Sequence, residues 1–193
     1  MNMPGVRGDD SFKALDTKQQ FRGTMVGVSL DSFRFPDGKE IRHETIHLPA
    51  AVSVVPVLEE TPGRKEVVLV EQYRTALAGY IHEIPAGILE EGEDPAFCAG
   101  RELEEETGYR AATLTLLTTL FPIPGTSAHK MYFFMAEGLE PGEQRLEEAE
   151  CLTVKKFGLA ELIKTLASGG EPVIVDGKTH IGLLHAAMRL GLK

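Results

Sequence analysis

The chain has 193 residues, of which 42% are hydrophobic and 25% charged, and its formal net charge is −9 at pH 7. This composition is typical of a soluble globular protein, and the acidic balance without a basic stripe argues against nucleic acid as a partner. No secretory leader or membrane-spanning apolar run is visible, so a cytoplasmic protein without a membrane partner is expected. The two cysteines, Cys98 and Cys151, lack metal-ligand spacing and are expected to be reduced thiols.

The first quarter of the chain predicts a tail followed by a β hairpin. Residues 1–20 are polar with little periodicity, which indicates a flexible tail. Residues 21–48 carry β-type patterns on both sides of Pro36-Asp37-Gly38, where proline presets φ and glycine accepts a positive φ. Because a two-stranded hairpin is marginal alone, we expect this segment to pack on another surface and to form a homodimer.

Residues 49–193 predict one domain built around a central helix. Apolar strands are expected at 50–58 and 67–72, and further strands on both sides of an acid-rich helix. Amphipathic helices are expected at 159–167 and 179–190, the second of them buried on Ile181, Leu184, His185 and Met188. Strands around a central helix, with more helix at the end, indicate an α/β/α sandwich on a mixed sheet.

The acid-rich helix has clear start and stop signals. Asp94 is a good N-cap and Pro95 suits the first helical position. Gly108 can adopt the left-handed conformation that ends a helix. A helix is therefore predicted from residue 95 to about residue 107.

Three carboxylates share one face of this helix. Glu102, Glu105 and Glu106 stand at positions i, i+3 and i+4, so they repel one another, while Arg101 can pair with Glu105. A hard divalent cation with oxygen ligands would remove the repulsion. By themselves, these residues favour a metal site and a solvated helix face about equally.

The spacing around these acids resembles a known family motif. Gly87 is followed after five residues by Glu93, and after seven more by Arg101-Glu102-Leu103-Glu104-Glu105-Glu106-Thr107-Gly108-Tyr109. This series resembles the Nudix box, G-x5-E-x7-R-E-U-x-E-E-x-G-U, with an aromatic residue, Tyr109, at the last apolar position. The resemblance implies the Nudix fold, an α/β/α sandwich around a mixed sheet, here with an N-terminal β hairpin extension.

Four further segments are similar to the ADP-ribose pyrophosphatase and nucleoside diphosphate sugar hydrolase branch. They are Val70-Glu71-Gln72-Tyr73-Arg74, Glu83-Ile84-Pro85-Ala86-Gly87, Pro124 and Asp176-Gly177-Lys178-Thr179. The branch implies hydrolysis of the pyrophosphate bond of ADP-ribose or a related nucleoside diphosphate sugar, giving a nucleoside monophosphate and a sugar phosphate. The alternatives are GDP-mannose, a dinucleoside polyphosphate or NADH as substrate, or a non-catalytic Nudix-fold binding module.

The resemblance also implies roles for individual residues. Mg²⁺, or Mn²⁺ in its place, would be held by Glu102, Glu105, Glu106 and the carbonyl of Ala86. Arg101 would orient a glutamate. The substrate would be bound by Arg74, Arg42 and Pro124.

The general base has several candidates. Glu150 resembles a loop glutamate that precedes the last strand in this branch. His129 stands beyond Pro124, where the branch often has glutamate, and a neutral imidazole can accept a proton. Glu105 or Glu106 of the box is the third possibility.

Overall fold

The computed structural model of the protein describes residues 6–146, 151–168 and 174–192. The chain divides into two units: Met1–Pro49 with Ile123–His129, and Ala50–Pro122 with Lys130–Lys193. No helix formed by the described residues is long and apolar enough to cross a membrane.

The first unit contains a three-stranded antiparallel sheet in the order β1-β2-β3. Its strands are β1 (Lys13–Arg22), β2 (Gly27–Arg34) and β3 (Glu40–His47). The predicted turn is present between β2 and β3, where Gly38 has a φ of 85°. β2 and β3 thus form the predicted hairpin, with one more strand added to it.

β1 corrects the prediction that residues 1–20 form a flexible tail. Residues 13–22 pair with β2 along their whole length, with two bulges in the register. All ten residues of β1 are exposed. A strand that is exposed on both faces needs no alternation of apolar and polar residues, so its sequence carries no periodic β signal.

The second unit contains a mixed sheet in the order β10-β5-β4-β9-β8, to which β6 is added next to β5 and β7 next to β4. Among the described residues, the β4–β9 pair is parallel and the other pairs are antiparallel. The strands, in chain order, are β4 (Ala51–Thr61), β5 (Arg64–Arg74), β6 (Gly79–Glu83), β7 (Ala86–Ile88), β8 (Tyr109–Leu120), β9 (Met131–Pro141) and β10 (Leu152–Gly158). The helices are α1 (Pro95–Thr107), α2 (Leu159–Ser168) and α3 (Gly177–Leu190).

Two apolar clusters cover the two faces of this sheet. Val52 and Val54 of β4 pack with Leu103 of α1, whereas Val55 of β4 packs with Leu183 of α3 and with residues of α2. This division follows the alternation of side chains along a strand. The predicted α/β/α sandwich around a mixed sheet is confirmed.

The buried face of α3 differs from the predicted one. Leu184 is 45% and Met188 66% exposed, while Leu183 is fully buried and Gly182 faces the sheet. A Cβ atom on Gly182 would come within 2.7 Å of Ile84, so small residues let the helix approach the sheet closely. The prediction is therefore wrong for Leu184 and Met188, which the close packing turns outward, while Ile181 packs against the core as predicted.

Candidate active site

Helix α1 begins and ends where its sequence predicts. The Asp94 carboxylate accepts hydrogen bonds from the N–H groups of Ala96 and Phe97, at 2.9 and 3.1 Å. Gly108 has a left-handed φ of 72°, and its N–H donates to the carbonyl of Glu104. These local bonds satisfy backbone groups that a helix end otherwise leaves without partners.

Two box glutamates lie against strand β7 rather than on a solvated face. Glu102 is 9% and Glu106 4% exposed. The N–H of Ala86 donates to Oε2 of Glu106 at 3.3 Å. A Cβ atom on Gly87 would stand 1.9 Å from Cδ of Glu102, so the carboxylate occupies the space that a side chain would need. Both carboxylates therefore meet the backbone of adjacent residues in β7.

The strand register directs the polar groups of Ala86 away from β4. Ser53 lies opposite Ala86, and the next bond in the ladder runs from the N–H of Val54 to the carbonyl of Pro85. Ser53 and Ala86 are therefore a pair without mutual hydrogen bonds. The N–H of Ala86 faces Glu106, and its carbonyl lies at the same edge of the strand.

One guanidinium group pairs with three of the box carboxylates. Arg101 stands 3.2 Å from Glu93, 2.8 Å from Glu102 and 2.9 Å from Glu105, the last being the pair expected at i and i+4. Burial opposes the charge on Arg101, but the bond to Glu93 and the charge of Glu102 raise its pKa above the ordinary arginine range. Arg101 thus connects Glu93, which precedes the helix, with Glu102 and Glu105 on the helix.

The oxygen donors in this region suit a hard divalent cation. Such ions take carboxylate and main-chain carbonyl oxygens, which Glu102, Glu105, Glu106 and Ala86 can provide. In the part of the chain that the structure describes, no three His, Cys, Asp or Glu side chains are arranged closely enough to hold a metal ion. The ion pairs of Arg101 with Glu102 and Glu105 compete for two of these carboxylates. These oxygen donors suit a divalent cation. Its binding would break the ion pairs of Arg101 with Glu102 and Glu105.

Cys98 lies beside this motif on the buried side of α1. It is fully buried, and burial, followed by the neighbouring Glu93, raises the pKa of its thiol to about 12. The thiol therefore stays protonated and unreactive at neutral pH.

A second charged cluster joins Arg74, the predicted substrate cation, to Glu83 and Lys178, which were not assigned any role from the sequence. Glu83, which is 3% exposed, receives two bonds from Arg74: Nε lies 2.8 Å from Oε1, and Nη2 bonds Oε2. Nζ of Lys178 lies 2.7 Å from the same Oε2. Glu83 and Lys178 stand in two segments that resemble the hydrolase branch, and that resemblance is the signal that could have identified them.

The charges in this cluster stabilise one another. Burial favours the protonated form of Glu83, but Arg74 and Lys178 outweigh it and hold the pKa of this carboxyl below its ordinary value. The pKa of Arg74 is raised, first by its bonds to Glu83 and further by the charge of Glu106. The positive charge of Arg74 is therefore stabilised both by Glu83 and by Glu106 of the box.

The start of α3 holds Lys178 in place. Asp176 is the N-cap, and its Oδ2 accepts bonds from the N–H and hydroxyl of Thr179, at 2.9 and 2.6 Å. The same hydroxyl accepts a bond of 2.9 Å from the N–H of Ile84, the residue after Glu83. This connection joins two segments that are far apart in the sequence.

The remaining predicted site residues belong to the first unit or are not described. Arg42, on β3, and Pro124 are exposed, and His129 is half-buried. Nδ1 of His129 lies 2.7 Å from the carbonyl of Pro49. Because a carbonyl only accepts hydrogen bonds, Nδ1 carries the proton and Nε2 of the neutral ring is the acceptor. Glu150 lies outside the described residues.

Known proteins agree with this fold and this motif. The NUDIX domain profile matches residues 47–176. The methanol dehydrogenase activator of Bacillus methanolicus is 35% identical over 183 residues, which cover 94% of this chain and 95% of that protein. The ADP-ribose pyrophosphatase of Bacillus subtilis (strain 168) is 33% identical over the same share of each chain.

A solved structure supports the fold over nearly the whole chain. It is described as the crystal structure of ADP compounds hydrolase, and it superimposes with a TM-score of 0.82 at 23% sequence identity, covering 96% of this chain and 97% of that one. The domain match and the relatives of nearly equal length show that this protein belongs to the NUDIX hydrolase family.

Proposed function

We propose that this protein hydrolyses the pyrophosphate bond of ADP-ribose or a related nucleoside diphosphate sugar, releasing a nucleoside monophosphate and a sugar phosphate. The observation that carries the proposal is the placement of Glu102 and Glu106 against β7, within the electrostatic reach of Arg74. Carboxylates for cations and a nearby arginine are what a diphosphate substrate requires. The pyrophosphatase name of the Bacillus subtilis relative supports the same substrate class.

Glu102, Glu105, Glu106 and the carbonyl of Ala86 would hold Mg²⁺, with Mn²⁺ as a substitute. The bound metal would neutralise phosphate oxygens and lower the pKa of a water. Arg101 would keep Glu93 as its partner and orient that glutamate through a charge-assisted pair.

Arg74 is the first candidate for a substrate cation, because its side chain is 41% exposed and the charge of Glu106 helps to raise its pKa. Arg42 and Pro124 stay predictions from the family resemblance. The cytoplasmic location stays a prediction from the composition of the chain.

The general base is proposed to be Glu150, with His129 and the box glutamates Glu105 and Glu106 as alternatives. Removing the base should abolish the limb of the kcat–pH profile that reports its ionisation. We therefore expect Glu150→Gln to lose this limb and His129→Ala to keep it. Steady-state rates of both variants between pH 5 and pH 9 test the assignment, and an unchanged profile in Glu150→Gln would exclude Glu150.

A homodimer formed through the first unit is also proposed. All ten residues of β1 are exposed, including Leu15 at 41% and Phe21 at 57%. β1 is the edge strand among the described strands of its sheet. An edge strand with exposed apolar side chains gains stability when a second surface covers it. Light scattering at micromolar concentration should give twice the mass of one chain. A monomeric mass would contradict the proposal.

A second candidate function is regulation of another enzyme. It is favoured by the relative named methanol dehydrogenase activator, which extends over nearly the whole chain. Retention of every box glutamate favours turnover, so we place this candidate second.

The test is an assay of the purified protein with Mg²⁺ and a substrate panel: ADP-ribose, GDP-mannose, UDP-glucose, NADH and diadenosine polyphosphates. We expect the highest kcat/KM for ADP-ribose and complete loss of turnover in EDTA. A higher kcat/KM for another nucleotide sugar or for a dinucleotide would replace ADP-ribose as the proposed substrate. The absence of turnover on every compound would favour the regulatory candidate.

A further inference from the structure

Two cations, Arg74 and Lys178, bond the buried carboxylate of Glu83. The fork of Arg74 already bonds both of its oxygens, through Nε and Nη2. Lys178 then adds a second cation at 2.7 Å from Oε2. A buried carboxylate requires a charged partner, because an unpaired charge in the interior is strongly unfavourable. Lys178, which Glu83 shares with Asp176, therefore gives Glu83 a charged partner besides Arg74.

The two cations differ in how firmly they are held. The Lys178 side chain is 15% exposed, and its Nζ also lies 2.9 Å from Asp176, the N-cap of α3. The next residue, Thr179, is fully buried and bonded to the N–H of Ile84. Lys178 is therefore held on one side by Asp176, at the start of the packed helix α3, and on the other side by Glu83.

Arg74 is the more accessible of the two cations. It is the last residue of β5, and a turn that contains Ala78 at a positive φ of 50° follows it. Its side chain is 41% exposed, whereas that of Glu83 is 3% exposed. The guanidinium group thus reaches from a buried carboxylate to solvent, and the charge of Glu106 helps to raise its pKa.

We propose that Lys178 is a positioning residue that keeps Glu83 paired while Arg74 transfers its bonds to an anionic oxygen of the diphosphate substrate. This inference rests on the proposed function, in which Arg74 is the substrate cation. Without Lys178, release of Glu83 by Arg74 would leave a buried negative charge without a partner. Arg74 would then stay with Glu83, and the substrate would lose a charge-assisted bond. Lys178 acts through Glu83 and does not contact the substrate.

The test is a double-mutant cycle between Lys178 and Glu83. Lys178→Met in the wild-type background should raise KM roughly tenfold, the size of one hydrogen bond to a charged group, and change kcat little. In the Glu83→Gln background the same substitution should leave KM unchanged, because the neutral amide that replaces the carboxylate no longer retains Arg74. Lys178→Arg should restore the wild-type KM, since it replaces the second cation.

Binding without turnover provides an independent readout. Calorimetry with ADP-ribose in EDTA should show the same pattern in Kd, with weaker binding in Lys178→Met and no further loss in the double variant. Thermal unfolding of each variant establishes that it is folded. Lys178→Gln, which keeps a donor without the charge, replaces Lys178→Met if the latter does not fold.

Three results would overturn the inference. An equal rise in KM in both backgrounds would mean that Lys178 acts independently of Glu83. An unchanged KM and Kd in Lys178→Met would remove its role while leaving the proposed function intact. Normal KM and Kd in Arg74→Ala would show that Arg74 is not the substrate cation, and both the inference and that part of the proposed function would fail.

Discussion

Replacement of Glu106 by Gln is expected to lower kcat/KM by at least about 100-fold, while the chain stays folded. The carboxylate is 4% exposed and lies beside the backbone of Ala86. Gln has the same shape, and its carbonyl oxygen can still accept the bond from the Ala86 N–H, so the fold should be retained. The negative charge that would hold the metal is lost.

Glu104→Gln is the matched control on the same helix. Glu104 points to a different side of α1, where it lies 3.5 Å from Arg110 and 3.9 Å from Arg145, and both arginines are exposed. Exposed pairs of this kind contribute little, so the control should keep its activity. The measurement is kcat/KM for the preferred nucleotide over a range of Mg²⁺ concentrations, with thermal unfolding of each variant. Near-normal activity in Glu106→Gln would refute its assignment as a metal ligand.

Replacement of Gly87 by Ala is expected to lower kcat/KM by about 10- to 100-fold, as loss of a supporting contact at a metal site does. The new methyl group would stand 1.9 Å from Cδ and 2.0 Å from Oε1 of Glu102, so one of the two must move. The carboxylate is the end of a flexible side chain, and it should move more readily than the strand backbone. Stability should therefore change little, while Glu102 leaves its place against β7.

Gly100→Ala provides the control within the same motif. Its Cβ atom would make an ordinary contact of 3.5 Å with Leu114, and alanine stabilises a helix interior by up to about 1 kcal/mol relative to glycine. We expect wild-type activity and an equal or higher melting temperature. If Gly87→Ala also retained wild-type activity, the position of Glu102 against β7 would not matter for the reaction.

Local features of the structure follow from residues that are close in the sequence. The bounds of α1 depend on capping bonds of Asp94 and Gly108 that connect atoms no more than four residues apart. The same holds for the Arg101–Glu105 pair and for the turn at Gly38. The motif that indicates the family is also a local spacing, because one continuous stretch from Gly87 to Tyr109 carries it.

The surroundings of the charged residues depended on contacts between distant segments. Sequence alone left a metal site and a solvated face as equal alternatives, and the contact of α1 with β7 buries Glu102 and Glu106. Lys178 and Glu83 are 95 positions apart, and no local pattern indicates that a helix start will meet the end of β6.

By itself, the sequence determined the NUDIX motif, the mixed α/β architecture and the ends of the central helix. Turns, helix caps and the alternation of side chains depend on interactions between residues that are close in the sequence. Only the tertiary structure decided which face of α3 is buried, that residues 13–22 form a strand, and which cations surround Glu83. Packing distance and burial set these features, as Gly182 shows when it brings α3 so close to Ile84 that the larger Leu184 and Met188 face solvent.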